Sequence, residues 1–114
     1  MARVFAAGAG WPAGRRERLA EVIVRHMQPR VDAAVDPEGY LLARATETEI
    51  IGTNVDDFSP GLRAEVLERY PRLDITENFL ACFEGQAKRK PDSSAAVSVR
   101  SGLSTRMAGN PLDS

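Results

Sequence analysis

Prolines and glycines recur at short intervals along the chain and divide it into segments that each fit a helix. Asp36-Pro37 and Ser59-Pro60 both place a capping side chain directly before a proline, which is the order that opens a helix. Pro71 then ends the segment that begins at the second of these signals. No segment alternates convincingly between apolar and polar side chains, so strands are not expected. The sequence therefore predicts an all-α chain.

The positions of the prolines and glycines, together with apolar residues at helical spacing, predict about six helices. Their expected ranges are 2–8, 12–27, 37–51, 60–70, 75–90 and 94–107. Asp74 and Glu77 open the fifth helix in the order of a capping box, in which each side chain satisfies a free backbone N–H. A chain of 114 residues is of ordinary single-domain size, so one domain over residues 1–114 is expected.

Charge and composition argue against two broad classes of partner. The formal net charge is −1, and residues of both signs are mixed along the length, which is not typical of a nucleic-acid-binding face. The basic run Lys88 to Lys90 falls where a helix should end, and it complements the helix dipole there. No stretch approaches the ~20 apolar residues of a membrane span, and the N-terminus lacks a signal-peptide core. We therefore expect a cytoplasmic protein with neither a nucleic acid nor a membrane as partner.

Cys82 is the only cysteine, so the chain alone can build neither a disulfide framework nor a thiolate zinc cage. It lies within the apolar run 79–83, where a free cysteine is expected to act as a small hydrophobe. Cysteine chemistry is therefore not expected to supply a site.

Two polar side chains, His26 and Glu49, lie on helix faces that are otherwise apolar. Such groups must be satisfied on burial by each other, by a metal or by a ligand. For His26 the alternative is a core histidine that is hydrogen-bonded to the backbone or to a carboxylate. For Glu49 the alternatives are a helix-to-helix ion pair, with Arg30 or Arg44 as the candidate partner, or exposure of the carboxylate to water.

Eight short strings along the chain form a familiar pattern. They lie at residues 10–12, 20–26, 41–46, 49–52, 63–66, 70–72, 79–83 and 90–91 and read GWP, AEVIVRH, LLARAT, EIIG, RAEV, YPR, FLACF and KP. Together they resemble HD-domain metal-dependent hydrolases, in the branch related to cyanamide hydratase. The resemblance implies an all-α fold that is the C-terminal half of an HD-type helical domain.

The resemblance also implies a metal site whose ligands are incomplete here. Proteins of that family hold a divalent metal, of the zinc, iron or manganese type, with a histidine, an adjacent His-Asp pair and a later aspartate. The first histidine and the His-Asp pair would both lie before Met1, because His26 is the only histidine here and no His-Asp pair occurs. The last ligand corresponds to Glu49, which is one methylene longer than aspartate. His26 corresponds to a pocket residue that orients water or substrate.

Three hypotheses about function follow. The first is a truncated HD-family hydrolase or hydratase that acts on a small-molecule substrate. It would be inactive alone, because a catalytic metal site usually needs about three protein ligands and this chain lacks most of them. The metal would then not be held by this chain alone. The second is a small non-catalytic helical interaction module that packs an exposed apolar face on a partner. The third is an active homo-oligomer, or a complex with the missing N-terminal half, in which another chain supplies the remaining ligands.

Overall fold

The computed structural model describes residues 1–113, and within them every regular element is a helix. The α-helices are α1 (Ala2–Gly8), α2 (Ala13–Arg25), α3 (Pro37–Ile51), α4 (Pro60–Arg69), α5 (Ile75–Arg89), α6 (Ser94–Arg100) and α7 (Leu103–Ala108). Short 3-10 helices form at Val55–Asp57 and Pro111–Asp113. The all-α prediction is confirmed. Over the residues described, no helix has both the length and the apolar character needed to cross a membrane.

The chain divides into two compact units, Met1–Thr46 and Glu47–Ser114, and the division falls within α3. In the first unit α1 packs against α2, and Ala6 of α1 is fully buried. The backbone N–H of Trp11 donates to the carbonyl of Ala6 at 2.9 Å, which fixes the turn between these helices. The Arg15 guanidinium lies 3.8 Å from the centroid of the Trp11 ring, in cation–π geometry.

The start of α3 follows the expected cap-and-proline signal. The Asp36 carboxylate accepts a hydrogen bond at 3.0 Å from the backbone N–H of Gly39, and Pro37 is the first helical residue. The side chain of Asp36 is almost fully buried, where it also pairs with the guanidinium of Arg18. The Gly39 N–H is the largest cause of the lowered pKa of Asp36, and Arg18 and Arg25 lower it further. The cap is therefore both a helix start and the centre of an ion-pair cluster.

In the second unit α5 packs against α6, and α7 packs against both. Its buried apolar side chains are Val55, Ala96, Leu103 and Met107. Ser59 caps α4 as expected, because its hydroxyl oxygen accepts from the backbone N–H of Leu62 at 3.2 Å.

Several sequence-based expectations about the helices are wrong in detail. The expected helix 94–107 is two helices, because Gly102 adopts φ 85° between α6 and α7. Pro12 is the residue before α2 rather than its first residue. Asp74 stands at the start of α5 but makes no side-chain capping hydrogen bond there.

Two expectations about burial are also wrong. Cys82 is exposed, so it does not act as a small buried hydrophobe as expected. The otherwise apolar helix face that carries His26 on α2 is not buried either. Ile23 is 38% exposed and Met27 is 57% exposed.

Candidate functional site

His26 lies at the C-terminal end of α2, in the first unit, and is partly exposed. Its ring Nδ1 lies 2.5 Å from the carbonyl oxygen of Ile23, one turn earlier. A carbonyl can only accept, so Nδ1 carries the proton and donates it to this bond. The backbone alternative for His26 therefore matches the structure, although the ring sits at a helix end rather than in a core.

Glu49 lies in the part of α3 that belongs to the second unit, and its side chain is 46% exposed. Its carboxylate Oε1 accepts a hydrogen bond from Arg72 Nη1 at 2.5 Å. The same nitrogen donates to the backbone carbonyl of Glu49 at 2.8 Å, so one guanidinium group binds both the side chain and the backbone of Glu49. Glu49 is therefore in an ion pair, but its partner is Arg72, which stands between α4 and α5 and is neither of the two expected candidates, Arg30 and Arg44.

Arg72 is the centre of a wider polar cluster in the second unit, and its side chain is only 6% exposed. Its Nε donates to the Asp113 carboxylate at 2.6 Å, and the hydroxyl of Thr76 donates to the other oxygen of Asp113 at 2.9 Å. The side-chain amide of Asn110 donates to the Glu49 carbonyl at 2.9 Å. The cluster therefore ties the end of α3 and the start of α5 to the segment around the last 3-10 helix.

The electrostatics of the cluster follow from these hydrogen bonds. Donation from Arg72 lowers the pKa of the Asp113 carboxyl below its ordinary value, partial burial opposes this, and Thr76 adds to the lowering. Arg72 Nη2 is buried and has no hydrogen-bond partner among the described residues. Both N–H groups on this nitrogen thus remain unsatisfied, which reduces what the cluster contributes to stability.

Two backbone features support this arrangement. Gly52 follows α3 at φ 74°, and a Cβ there would overlap the side chains of Pro111 and Asn110. Leu73 follows Arg72 at φ 51°, a conformation that costs a non-glycine residue roughly 1–2 kcal/mol. The close approach of Pro111 and Asn110 to Gly52 and the sharp turn at Leu73 thus accompany the packing of Arg72 against Glu49.

The position between Glu49 and Asp113 is filled by the guanidinium of Arg72. In residues 1–113 no group of at least three histidine, cysteine, aspartate or glutamate side chains has the geometry to hold a metal ion. The donors around Glu49 suit a guanidinium cation better than a divalent metal, so we derive no metal-dependent step from them. His26 and Glu49 belong to different units. The metal-ligand role of Glu49, the catalytic role of His26 and the site shared by them stay predictions.

An apolar groove with a volume of about 440 Å³ lies beside the Arg72 cluster, entirely within the second unit. Its size falls in the range of sites that bind ligands or partner side chains. The apolar side chains that line it are Val55, Phe58, Leu62, Val66, Leu67, Tyr70, Pro71, Ile75 and Leu112. Thr48, Glu49, Arg63 and Arg72 supply its polar part. We call this feature the α4 groove.

The exposed wall of the α4 groove is a row of apolar side chains on α4 and at its end. Leu62 and Val66 are each 47% exposed, and Tyr70 is 68% exposed. They follow one another at i, i+4 and i+8, so they lie on one face of the helix and its continuation. Phe58, at 44% exposure, extends the row before the helix. Helical spacing in the sequence marks Leu62, Val66 and Tyr70 as apolar positions of one helix, but it does not indicate that they are exposed.

Arg72, Asn110 and Asp113 are the polar residues of this region that sequence reasoning missed. Arg72 stands between two helices, where no helical period marks it as inward-facing. Comparison with protein-family models, with curated proteins and with solved structures found no match to this chain.

Proposed function

We propose that this chain is a non-catalytic helical interaction module that binds an apolar segment of a partner protein in the α4 groove. The observation that carries the proposal is the exposed row Leu62, Val66 and Tyr70 beside a groove of about 440 Å³. Covering apolar surface is favourable by roughly 25 cal/mol per Å². A contiguous row of exposed apolar side chains is typical of a protein-binding surface.

The openness of this surface favours a protein segment over a small molecule. Small-molecule sites bury most of their ligand and are lined by enclosed side chains. Here Leu62, Val66 and Tyr70 each keep close to half or more of their surface exposed. Side chains of a partner segment can cover such a row, while the partner's backbone stays outside the groove.

The HD-family interpretation stays a prediction beside this proposal. In that interpretation Glu49 is the last metal ligand and His26 orients water or substrate. The carboxylate of Glu49 is instead engaged by Arg72 at 2.5 Å, which favours a structural role for it in this chain. The interaction module requires no change to these contacts.

A displayed library of random peptides, selected on the immobilised chain, tests the proposal. We expect the enriched peptides to carry apolar residues at helical or near-helical spacing. Val66→Asn should weaken their binding by about tenfold or more, as loss of a central apolar contact does. Val97→Asn is the matched control, because Val97 of α6 is 54% exposed and does not line the groove. Failure to enrich any peptide, or equal binding by both variants, would contradict the proposal.

A further inference from the structure

We infer that the partner segment which covers the exposed wall of the α4 groove is α4 of a second copy of this chain, in antiparallel orientation. This inference rests on the proposed function, because it specifies the partner of the same surface. The order of apolar and charged side chains along α4 supports it.

The apolar row on α4 is able to pair with itself. Leu62, Val66 and Tyr70 follow one another at i, i+4 and i+8, with Val66 at the centre. When two such helices lie antiparallel around a two-fold axis near Val66, the two Val66 side chains meet. Leu62 of each copy then meets Tyr70 of the other. All three side chains are exposed, so this pairing removes apolar surface of both copies from water.

Two charged side chains, Glu65 and Arg69, flank this row. They stand one residue before and three residues after Val66, which places both on the same side of the row. Both side chains are exposed, and within residues 1–113 no ion pair joins them to each other. Their charges are therefore available to a partner.

The order of these two charges fits an antiparallel second copy. A two-fold axis perpendicular to both helices keeps this flank of one copy beside the same flank of the other. At 1.5 Å per residue, Glu65 of one copy and Arg69 of the other then lie within about 3 Å of the same level along the helix axis. The symmetry repeats this pair, so two pairs of opposite charge form.

A parallel second copy fits less well. In that orientation Glu65 would face the opposite flank of the other helix, where Arg63 is the charged residue. Arg63 is only 25% exposed and already contacts Asp56 at 3.4 Å. The antiparallel orientation instead uses two side chains that have no partner in each other.

The paired surface is small, which predicts a weak dimer. Stable interfaces bury about 800 Å² on each partner, and one row on a helix of 10 residues covers only part of such an area. We expect a dissociation constant of roughly 10–100 μM, so the chain is monomeric when it is dilute.

Sedimentation equilibrium of the full chain, from about 2 μM to about 500 μM, measures the dimer. Val66→Glu should weaken it by about tenfold or more, because two carboxylates then meet at the two-fold axis. Val97→Glu is the matched control and should leave the dissociation constant unchanged, because Val97 of α6 is 54% exposed and does not line the groove. Circular dichroism of each variant checks that the helices are intact.

Reversal of the flanking charges tests the antiparallel orientation. Glu65→Arg and Arg69→Glu should each weaken the dimer by about fivefold or more, because each brings like charges together. An equimolar mixture of the two variants should recover the original affinity, since each reversed charge then meets its opposite in the other copy. Glu68→Arg is the matched control, because Glu68 lies on the face of α4 opposite Val66, and it should change nothing.

The outcomes separate failure of the inference from failure of the proposed function. A chain that stays monomeric at every concentration, while selected peptides bind it and are lost in Val66→Asn, would overturn the second copy and leave the interaction module standing. A dimer that Val66→Glu does not weaken would overturn the inference, since another face would then form it. A dimer that is not recovered in the mixture would overturn the antiparallel orientation. Absence of both a dimer and selected peptides would overturn the inference and the proposed function together.

Discussion

Arg72 connects three segments of the second unit through one nearly buried guanidinium group. We predict that Arg72→Ala lowers the free energy of unfolding by about 1–3 kcal/mol, because it leaves Glu49 and Asp113 facing each other without a cation. The carboxylates are partly exposed, so water recovers part of the loss. Urea denaturation of the full chain measures the change.

Arg69→Ala is the control for this variant, because Arg69 is an exposed arginine in the last turn of α4. Its effect should stay within about 0.5 kcal/mol, as is usual for surface substitutions. Equal destabilisation by the two variants would show that removal of any nearby positive charge matters, and that the cluster has no special role.

The Asp113 carboxylate predicts a dependence of stability on pH. Its folded-state pKa is lowered by Arg72, so the carboxylate stabilises the fold at pH above its unfolded value of about 3.9. This contribution is lost as pH falls through the lowered folded-state pKa.

Asp113→Asn isolates this contribution. The variant should be less stable than the wild type at pH 7, and the difference should shrink below about pH 4 as the wild-type carboxyl is protonated. Unfolding midpoints from pH 2 to pH 7 measure the difference. A difference that stays constant over this range would show that the carboxylate's charge contributes nothing.

The environment of Glu49 shows how far residue-level reasoning reaches. The requirement that a carboxylate on an apolar face be satisfied holds, because Arg72 satisfies it. The identity of that partner was not predictable, since Arg72 lies 23 residues further along and outside any periodic segment. Side-chain periodicity reports which face a residue occupies, and it carries no information about which distant residue meets it.

The glycines of the second unit differ in what the backbone requires of them. Gly102 holds φ 85° between α6 and α7, and a Cβ there would meet no atom within 4 Å. Gly102→Ala should therefore destabilise the chain by about 1–2 kcal/mol through the left-handed backbone alone. Thermal or urea unfolding measures this cost.

Gly85, in the middle of α5, supplies the opposite expectation. A Cβ there meets only the end of the flexible Arg89 side chain at 4.0 Å. Gly85→Ala should stabilise the chain by roughly 0.5–1 kcal/mol, because alanine has the higher helix propensity. If both variants shift stability in the same direction, backbone conformation is not what distinguishes the two positions.

The starts of helices were more predictable than the ends and breaks. The cap-and-proline signals at Asp36 and Ser59 give local hydrogen bonds that need only neighbouring residues, and both form as expected. The break at Gly102 was missed because a single glycine is also tolerated within a helix. In the structure α6 and α7 both pack against α5, which is a long-range arrangement that local spacing does not report.

The described residues bury few large apolar side chains, and Met107 of α7 is the largest that is fully buried, at 1% exposure. With so small a core, one truncation should remove a large share of the total stability. Met107→Ala should cost about 2–4 kcal/mol, which combines lost burial with an unfilled cavity. Unfolding of the second unit, followed by hydrogen exchange of amides in α5 to α7, measures this loss.

Met27→Ala is the matched control, because Met27 is 57% exposed and belongs to the first unit. Its cost should stay within about 0.5 kcal/mol. A small effect of both variants would mean that the contacts around Met107 contribute little and that the polar cluster around Arg72 holds the second unit together. A large effect of Met107→Ala alone would assign the stability to apolar packing among α5, α6 and α7. The exposed row on α4 would then remain available to a partner without being required for folding.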